Sequence, residues 1–409
     1  MFLGLDLGTS GVKALLIDDA QSPIAEGHAP LTVERPHSNW SEQDPNSWIT
    51  ACKAAIAAVR AEAPQAFAAL KGIAVSGQMH GATLLDEADN PLRPAILWND
   101  GRSAAQCEAL EARADFRGIG GNIVMAGFTA PKLEWVRQNE PEVFAKTRKV
   151  LLPKDYVGLW LTGRHMSEMS DAAGTLWLDV GKRDWSDALL AATGLDRSHM
   201  PQLIQSAVHS FCHALPDTWH QMGVILSATD SLNWLADLAG RSAKDLTTAI
   251  DDLPSAASPV TFLPYLSGER TPHNAPDASA SFLGLKRQHG LTEMTQAVME
   301  GVAFALNDCR RAIDQSGAPL TSAWVAGGGS QSKAWLNMIA AATGLTLKVP
   351  ASGSQGAALG AARLAMAASG MTDVFGTPDL QESIAPDPAL AAFYAERQKL
   401  FRNVYPALP

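Results

Sequence analysis

Residues 3–18 read LGLDLGTSGVKALLID, two apolar segments joined by a turn of glycine and hydroxyl residues. The apolar segments predict two strands of a hairpin, and Gly8 and Gly11 permit tight backbone and the close approach of a ligand. The amides of the turn, together with the hydroxyls of Thr9 and Ser10, predict a cradle for phosphate oxygens. The alternative is an ordinary hairpin in which the glycines only make the turn.

Asp6 ends the first apolar segment, next to the turn. A bare carboxylate and a phosphate repel each other, so we expect Asp6 to face a phosphate only through a hydrated divalent cation. Residues 327–333, GGGSQSK, are the nearest approach to a nucleotide P-loop. That match fails, because Ser332 stands where the second glycine belongs and Ala334 follows the lysine.

The size and charge of the chain limit its class. Its 409 residues allow roughly two or three domains. A formal net charge of -10 argues against binding nucleic acid, because such surfaces need concentrated Lys and Arg. The four cysteines (Cys52, Cys107, Cys212 and Cys309) are scattered and indicate reduced thiols. With neither a basic leader nor a long apolar run, we expect a cytoplasmic protein that does not contact membranes.

Two further predicted strands end in polar residues. Residues 72–76 indicate a short buried strand that leads into GQMHG at 77–81, and residues 95–98 indicate the next strand, which leads into NDGR at 99–102. In α/β folds, ligands bind where strands end in this way.

Apolar periodicity predicts the remaining elements. We expect a helix capped by Asp44-Pro45, sheet residues at 82–85, a mostly helical stretch at 103–194 with a turn-rich interruption at 170–175, strands at 208–226, helices at 227–239, from Thr292 and at 332–343, strands at 323–326 and 345–349, and a helix at 354–368. Small residues crowd the last helix, so another segment can lie close against its backbone.

Five motifs occur together and in order along the chain. They are the opening hairpin, QMHG at 78–81, WNDGR at 98–102, SGERTPH at 267–273 and GGGS at 327–330. With these motifs the sequence resembles the FGGY family of carbohydrate kinases over almost its whole length. The motifs as a set are specific, although each alone is weak.

The resemblance implies two ribonuclease H-like domains of the actin and hexokinase type around a central cleft. Residues 1–205 would form the sugar-binding domain, which carries the first phosphate hairpin, and residues 206–409 the nucleotide-binding domain. The implied reaction is ATP-dependent phosphorylation of D-xylulose to D-xylulose 5-phosphate, with Mg²⁺ across the phosphates. A homodimer is an open expectation.

The resemblance also assigns the sugar site. Met79 and His80 would contact the sugar hydroxyls, with Gln78, Trp98 and Asn99 nearby. A single histidine is more often a core residue that is satisfied by a carbonyl group. The position of His80 between two strand-end glycines favours the functional interpretation.

The nucleotide residues follow from the same match. Asp6 corresponds to the acidic residue near the Mg-ATP phosphates, where it would hold the metal through water. The phosphate loop would comprise Gly8, Thr9, Ser10 and Gly11, and the adenosine end would lie at Gly328, Gly329 and Asn337. The alternative for the glycines is a simple strand-to-helix turn, although glycine-rich backbone at a helix start also suits anionic ligands.

One family feature is missing from the sequence. The second domain of the family opens with a Gly-Gly-x-Asp-Asn segment, whose Asp is the catalytic base, followed by a second phosphate hairpin. Here the chain passes from residues 200–205, which resemble the end of the first domain, directly into residues 206–213, which resemble a strand well inside the second domain. Either the chain has an internal deletion, or a segment between Gln205 and Ser206 is not represented in the sequence.

Other assignments for the chain have less support. Asp230 is a poor substitute base because it lies at a helix start, where Asp is a favoured cap. His209, Cys212 and His213 suggest a metal site, but strand alternation separates the cysteine from the histidines. A non-catalytic sugar-binding remnant and an FGGY kinase for another polyol or ketose remain alternatives. An actin-like ATPase would need no sugar-binding segment at 78–81.

Overall fold

The computed structural model describes residues 1–204, 222–250, 252, 254–273, 275, 277–315, 319–351 and 356–404. The chain divides into two compact units: unit 1 comprises Met1–Gln221 and Ala357–Gly376, and unit 2 comprises Met222–Gly356 and Thr377–Pro409. Both units combine helices and strands, so the predicted α/β class is confirmed. The boundary predicted at 205–206, and the strands expected to be missing there, lie outside the described residues and stay predictions.

Unit 1 is built on a four-stranded sheet. The strands of unit 1, in this sheet and in smaller two-stranded sheets, are β1 (Phe2–Leu7), β2 (Gly11–Ile17), β3 (Pro23–Pro30), β4 (Glu42–Gln43), β5 (Gly72–Gly77), β6 (Thr83–Leu85), β7 (Ala95–Ile96), β8 (Lys149–Leu151), β9 (Met166–Glu168), β10 (Leu178–Asp179), β11 (Asp184–Trp185) and β12 (Gln202–Ile204). The sheet order is β3-β2-β1-β5, and its strands are antiparallel except for the parallel pair β1 and β5. The predicted hairpin is therefore confirmed.

Short helices surround these strands in unit 1. They are α1 (Pro45–Glu62), α2 (Pro64–Ala68), α3 (Cys107–Glu111), α4 (Phe116–Gly120), α5 (Thr129–Asn139), α6 (Pro141–Lys146), α7 (Pro153–Thr162), α8 (Met169–Ala173) and α9 (Asp187–Ala192). Helix α1 begins as predicted, because the Asp44 side chain accepts a hydrogen bond from the Asn46 amide and proline occupies the first turn. Trp48, Cys52 and Val59 of α1 are fully buried.

Unit 2 packs its helices around α12, most of whose residues are buried. The helices along this part of the chain are α10 (Ala228–Ala239), α11 (Ala243–Thr248), α12 (Leu291–Gln315), α13 (Lys333–Thr343), α14 (Gly356–Ala368) and α15 (Pro388–Val404). All belong to unit 2 except α14, which belongs to unit 1 from Ala357 onward. The strands of unit 2 are β13 (Thr261–Leu263), β14 (Ser281–Leu283), β15 (Ser322–Trp324), β16 (Thr346–Pro350) and β17 (Leu380–Ile384). The predicted helices α10, α12 and α13 are confirmed.

Helix α14 lies against the first strand. A Cβ atom built on Gly4 would lie 1.9 Å from the Ala358 carbonyl oxygen, so only glycine permits this approach. Ala358 and Ala362 are fully buried in a cluster that contains Phe2, and thus cover one face of the sheet. The prediction that a segment lies close against this helix is confirmed.

Three sequence predictions were wrong or fall outside the description. Residues 83–85 pair with β8 in a separate sheet, so they do not extend the sheet of β1. Residues 170–175 are not simply a turn, because α8 covers most of them. The strands predicted at 208–226 lie mostly outside the described residues, and residues 222–226 contain no strand. No helix in the described ranges is both long and apolar enough to cross a membrane.

Candidate functional site

The hairpin turn and the segment after β5 meet at one edge of the sheet. Strands β1 and β5 are parallel with Leu7 beside Gly77, so the chain leaves both strands at the same edge. The Gly8 amide donates to the Gly11 carbonyl at 2.9 Å, which closes the turn, and the Gln78 amide donates to the Leu7 carbonyl at 2.8 Å. This edge is where the sequence predicts ligand binding.

Three predicted site residues form a hydrogen-bonded group at this edge. Trp98 Nε1 donates to Thr9 Oγ1 at 3.0 Å, and the Thr9 hydroxyl donates to Gln78 Oε1 at 3.2 Å. Gln78 Nε2 then donates to Gln43 Oε1 at 2.8 Å. These hydrogen bonds fix the position of the hairpin turn relative to the predicted sugar-binding segment. The sequence motifs alone do not establish this contact.

Gln43 completes the group, although sequence reasoning missed it. Its amide nitrogen donates to the Thr9 carbonyl at 2.7 Å, and its amide oxygen also accepts from Trp48 Nε1 at 3.0 Å. The side chain is fully buried. Nothing in the sequence around Gln43 distinguishes it from a surface glutamine, because its importance comes from partners far along the chain.

His80 is held in one orientation by its surroundings. Its backbone has φ of 63°, in the left-handed region that is costly for a residue other than glycine. Its Nδ1 lies 2.9 Å from the Gly174 carbonyl, which can only accept, so Nδ1 carries the proton. The ring packs edge-on against Phe128, and Lys132 Nζ donates to the His80 carbonyl at 2.9 Å. Strained backbone is typical of ligand sites, whereas a buried ring with a carbonyl partner also fits the core-residue alternative, so the sugar-binding role of His80 stays a prediction.

Asn99 directly precedes an anchored loop. Its Oδ1 atom is buried and has no hydrogen-bond donor within the described ranges, so a donor from a ligand would satisfy it. The following loop is fixed by Arg102, which pairs with Asp100 at 2.7 Å and Glu42 at 2.6 Å and stacks on Trp40. Met79, in contrast, is half-buried and carries no polar atom that defines its role.

Asp6 lies at the same edge and is partly buried. Burial raises the pKa of the Asp6 carboxyl, and the Ser76 hydroxyl and Lys13 oppose this rise. The Ser76 hydroxyl is 3.5 Å from Oδ1, a long hydrogen bond. A carboxylate beside a turn fits the water shell of a divalent cation, and the role of Asp6 in holding Mg²⁺ through water stays a prediction.

The glycines of the turn also have structural reasons to be glycine. A Cβ on Gly11 would lie 2.8 Å from the Ala29 carbonyl, and one on Gly8 would lie 3.2 Å from the Gly11 carbonyl. Ser10 is exposed. The phosphate cradle predicted for these residues therefore stays a prediction, since packing alone accounts for Gly11.

Unit 2 contains a pocket of about 520 Å³ beside the predicted adenosine residues. Its lining is mainly apolar and glycine-rich, and includes Thr229, Val302, Leu306, Arg310, Trp324, Gly327, Gly328, Gly329 and Trp335. Gly327 has φ of 89°, which favours glycine, and a Cβ on Gly328 would meet no atom within 4 Å. Asn337 does not line this pocket and instead donates to the Asp252 carbonyl at 2.7 Å.

Two further sequence interpretations concerned Asp230 as a substitute base and a metal site at residues 209–213. Asp230 lies exposed in the first turn of α10, whose N-cap is Ser227, so it is not the cap that the sequence predicted. His209, Cys212 and His213 lie outside the described residues.

Comparisons with known proteins agree with this description. Residues 1–230 match the FGGY family of carbohydrate kinases, N-terminal domain, and residues 197–369 match the C-terminal domain of the same family. The chain is 42% identical to a xylulose kinase from Escherichia coli and 41% identical to one from Klebsiella pneumoniae, with 100% of this chain and 99% of each relative covered. A crystal structure of a xyloylose kinase from Brucella ovis superimposes with a TM-score of 0.86 at 46% identity, covering 99% of both chains.

The alignment with the Escherichia coli protein is longer than this chain. It spans 481 positions, whereas the chain has 409 residues. Several tens of positions in the relative therefore have no counterpart here, which accords with the missing segment inferred from the sequence. Both family matches and the full-length relatives lead to one conclusion: the chain belongs to the FGGY family of carbohydrate kinases.

Proposed function

We propose that the chain catalyses transfer of the γ-phosphoryl group of ATP to D-xylulose, giving D-xylulose 5-phosphate. The observation that carries the proposal is the hydrogen-bonded group of Thr9, Gln78 and Trp98, which joins the hairpin turn to the segment containing His80. The names of the full-length relatives support the choice of sugar. ATP is the phosphoryl donor that a kinase of this family uses.

Each part of the site has a separate task in this proposal. His80 and Asn99 bind sugar hydroxyls, and the Gly8–Gly11 turn receives phosphate oxygens through its amides. Mg²⁺ would reduce the charge on the phosphates, and Asp6 would hold it through water. Gly328 provides open backbone beside the adenosine end of ATP, and Gly329 lets Thr229 pack close by, since a Cβ there would lie 3.0 Å from its methyl group. Asn337 stays a predicted nucleotide residue with a present role in fixing α13.

The sequence contains no match to the family motif that carries the proton acceptor. In phosphoryl transfer, a base near the attacking hydroxyl accepts its proton. The family places that aspartate in the segment that is missing between Gln205 and Ser206. Turnover by this chain therefore tests whether another group performs this step.

A screen of sugars with coupled detection of ADP tests the proposal. We expect ADP release with D-xylulose to exceed that with D-ribulose, gluconate and glycerol. Equal rates with glycerol and D-xylulose would remove the specific assignment. Binding of D-xylulose by calorimetry without ADP release would identify the chain as a sugar-binding protein that has lost catalysis.

Three finer expectations belong to the same proposal. We expect the chain to be located in the cytoplasm, where ATP and free sugar are available to it. The homodimer is checked by light scattering of the purified chain. Dependence on Mg²⁺ is checked by adding a chelator to the ADP assay, where loss of turnover is expected.

A further inference from the structure

Lys154, near the start of α7, carries a buried charge among three carboxylates. Its side chain is only 14% exposed. Its Nζ donates to Asp155 Oδ1 at 2.6 Å, and lies 3.4 Å from Asp171 Oδ2 and 3.9 Å from Glu168 Oε1. Burial lowers the pKa of Lys154, but the three carboxylates outweigh burial and raise it, so the ammonium stays charged.

Two of the three carboxylates already have structural roles. Asp155 accepts the Leu152 amide at the start of α7. Glu168 caps α8 by accepting the Ser170 amide at 2.8 Å and the Asp171 amide at 2.9 Å. Both side chains therefore accept hydrogen bonds from backbone amides at the start of a helix, as carboxylates at helix N-termini commonly do.

Asp171 differs from the other two. Its side chain is 9% exposed, and within the described residues the contact of its Oδ2 is the ion pair with Lys154 at 3.4 Å, which is not aligned as a hydrogen bond. Burial raises the pKa of the Asp171 carboxyl, and Lys154 opposes that rise. A carboxylate oxygen has more than one lone pair, so Oδ2 can accept from a hydroxyl donor in addition to this ion pair.

The pair is located beside the predicted sugar segment. A Cβ built on Gly77 would lie 3.3 Å from the Cβ of Lys154, and one on Gly81 would lie 2.5 Å from Pro153. Gly174, which directly follows α8, accepts the hydrogen bond from His80. The helices that carry Lys154 and Asp171 therefore contact both ends of the segment from Gly77 to Gly81.

We propose that Lys154 and Asp171 form part of the sugar site, with Asp171 Oδ2 accepting a hydrogen bond from one hydroxyl of the ketose and Lys154 fixing the carboxylate. The proposal rests on the proposed function, because it assumes that sugar binds beside His80. Glu168 and Asp155 hold the two helices in place, whereas Asp171 Oδ2 accepts no hydrogen bond within the described residues and can accept one from a sugar hydroxyl.

The test uses deoxy analogues of D-xylulose, each lacking one hydroxyl, with binding measured by calorimetry on the full chain. For the natural chain, one analogue should bind roughly 10- to 100-fold more weakly because it cannot donate to Asp171. In Asp171→Asn, D-xylulose itself should bind more weakly by a similar factor, and the penalty for that one analogue should shrink while the others keep theirs. Lys154→Met should weaken D-xylulose binding in the same direction.

Controls separate this proposal from a structural role and from the proposed function. Asp19→Asn and Lys71→Met change an exposed ion pair of unit 1, 2.7 Å apart, and should leave all affinities unchanged. A natural chain that does not bind D-xylulose would overturn the proposed function. A chain that binds it, with the same analogue profile in Asp171→Asn, would overturn this inference alone.

A loss of affinity in Asp171→Asn that is uniform across all analogues would also overturn the inference, because general damage does not select one hydroxyl. Should Asp171→Asn fail to fold, Asp171→Glu keeps the charge and lengthens the side chain by one methylene. In that variant, a changed penalty for one analogue supports the inference, and an unchanged profile contradicts it.

Discussion

In unit 1, the side chains around the hairpin turn are polar and bonded to one another, whereas in unit 2 the pocket beside Gly327 is lined mainly by apolar side chains and glycine. A sugar offers many hydroxyls and little apolar surface, so its recognition needs donors and acceptors held in fixed directions. An adenine ring is flat and largely apolar, so an open slot with glycine walls suffices. The two proposed sites would therefore use different physical means for two different ligands.

The first prediction breaks unit 1 and spares unit 2. In Gly4→Ala the added methyl would meet the Ala358 carbonyl at 1.9 Å, so α14 must move away from β1. We expect a loss of at least about 3 kcal/mol in the stability of unit 1. Hydrogen exchange, read separately for each unit, measures it. The control Gly360→Ala places a methyl on the same helix with no atom within 4 Å, and should change little.

The second prediction separates phosphate chemistry from sugar binding. Asp6→Asn removes the charge that would hold hydrated Mg²⁺, so we expect turnover to fall about 100-fold while D-xylulose affinity changes less than threefold. The ADP assay and calorimetry measure the two effects. Full activity in this variant would contradict the role of Asp6.

The third prediction concerns a substitution that fills space beside the unit 2 pocket and leaves unit 1 unchanged. A leucine at Gly328 would meet no protein atom near its Cβ and would extend beside the pocket. We expect Gly328→Leu to weaken ATP binding at least about tenfold, a cost of about 1.4 kcal/mol, with sugar binding unchanged. Unaltered ATP affinity would show that the nucleotide binds elsewhere.

The fourth prediction concerns a substitution in unit 1 that weakens sugar binding and leaves nucleotide binding nearly unchanged. His80→Ala should weaken D-xylulose binding about tenfold and leave nucleotide binding nearly intact, because the imidazole lies in unit 1. His199→Ala removes a partly exposed histidine of the same unit and serves as the control. An unchanged sugar affinity in His80→Ala would favour the interpretation of His80 as a core residue.

The fifth prediction contrasts two carboxylates. In unit 1, burial raises the pKa of Glu134, but hydrogen bonds from Arg137, Arg113 and Gln138 outweigh it and lower the pKa to about 2. In unit 2, burial raises the pKa of Glu300 to about 7, although the Ser258 amide, Gln296 and Tyr394 oppose it.

Opposite pH responses follow from these shifts. Glu300 binds a proton more readily when folded, so its contribution to the stability of unit 2 improves as pH falls from about 7 towards the ordinary glutamate value. Glu134 stabilises unit 1 above that ordinary value, and this stability is lost as pH falls towards about 2.

We expect each effect to be about 1 kcal/mol, since the partially exposed arginines around Glu134 are screened by solvent. Hydrogen exchange of each unit across pH measures both effects, and Glu134→Gln and Glu300→Gln should flatten them. Because the pKa of Asp171 in unit 1 is also raised, each variant is compared with the natural chain, and a pH response that neither substitution alters would contradict this account.

Local sequence signals predicted several elements correctly. The hairpin followed from two apolar segments joined by a glycine turn, and α1 followed from Asp44 and Pro45, whose effects act within a few residues. The family motifs identified Thr9, Gln78 and Trp98 as site residues, and the structure brings those three together.

Long-range partners explain what the sequence did not reveal. Gln43, Lys154 and Asp171 have no local signature, because each becomes important only through side chains far along the chain. The apolar run of β6 predicts a strand but not its partner, so its pairing with β8 was missed. The small residues of α14 indicated a close neighbour without identifying Gly4.

Helix α14 gives unit 1 a dependence on the order of synthesis. The strands that carry Phe2 and Leu15 emerge from the ribosome early, but the helix that covers them begins roughly 280 residues after β5, the last strand of their sheet. At ordinary elongation rates this sheet face waits on the order of 15 to 60 seconds for its cover. Nascent chains would then offer chaperones an apolar target during that interval, and a fragment that stops at residue 204 would keep this target permanently.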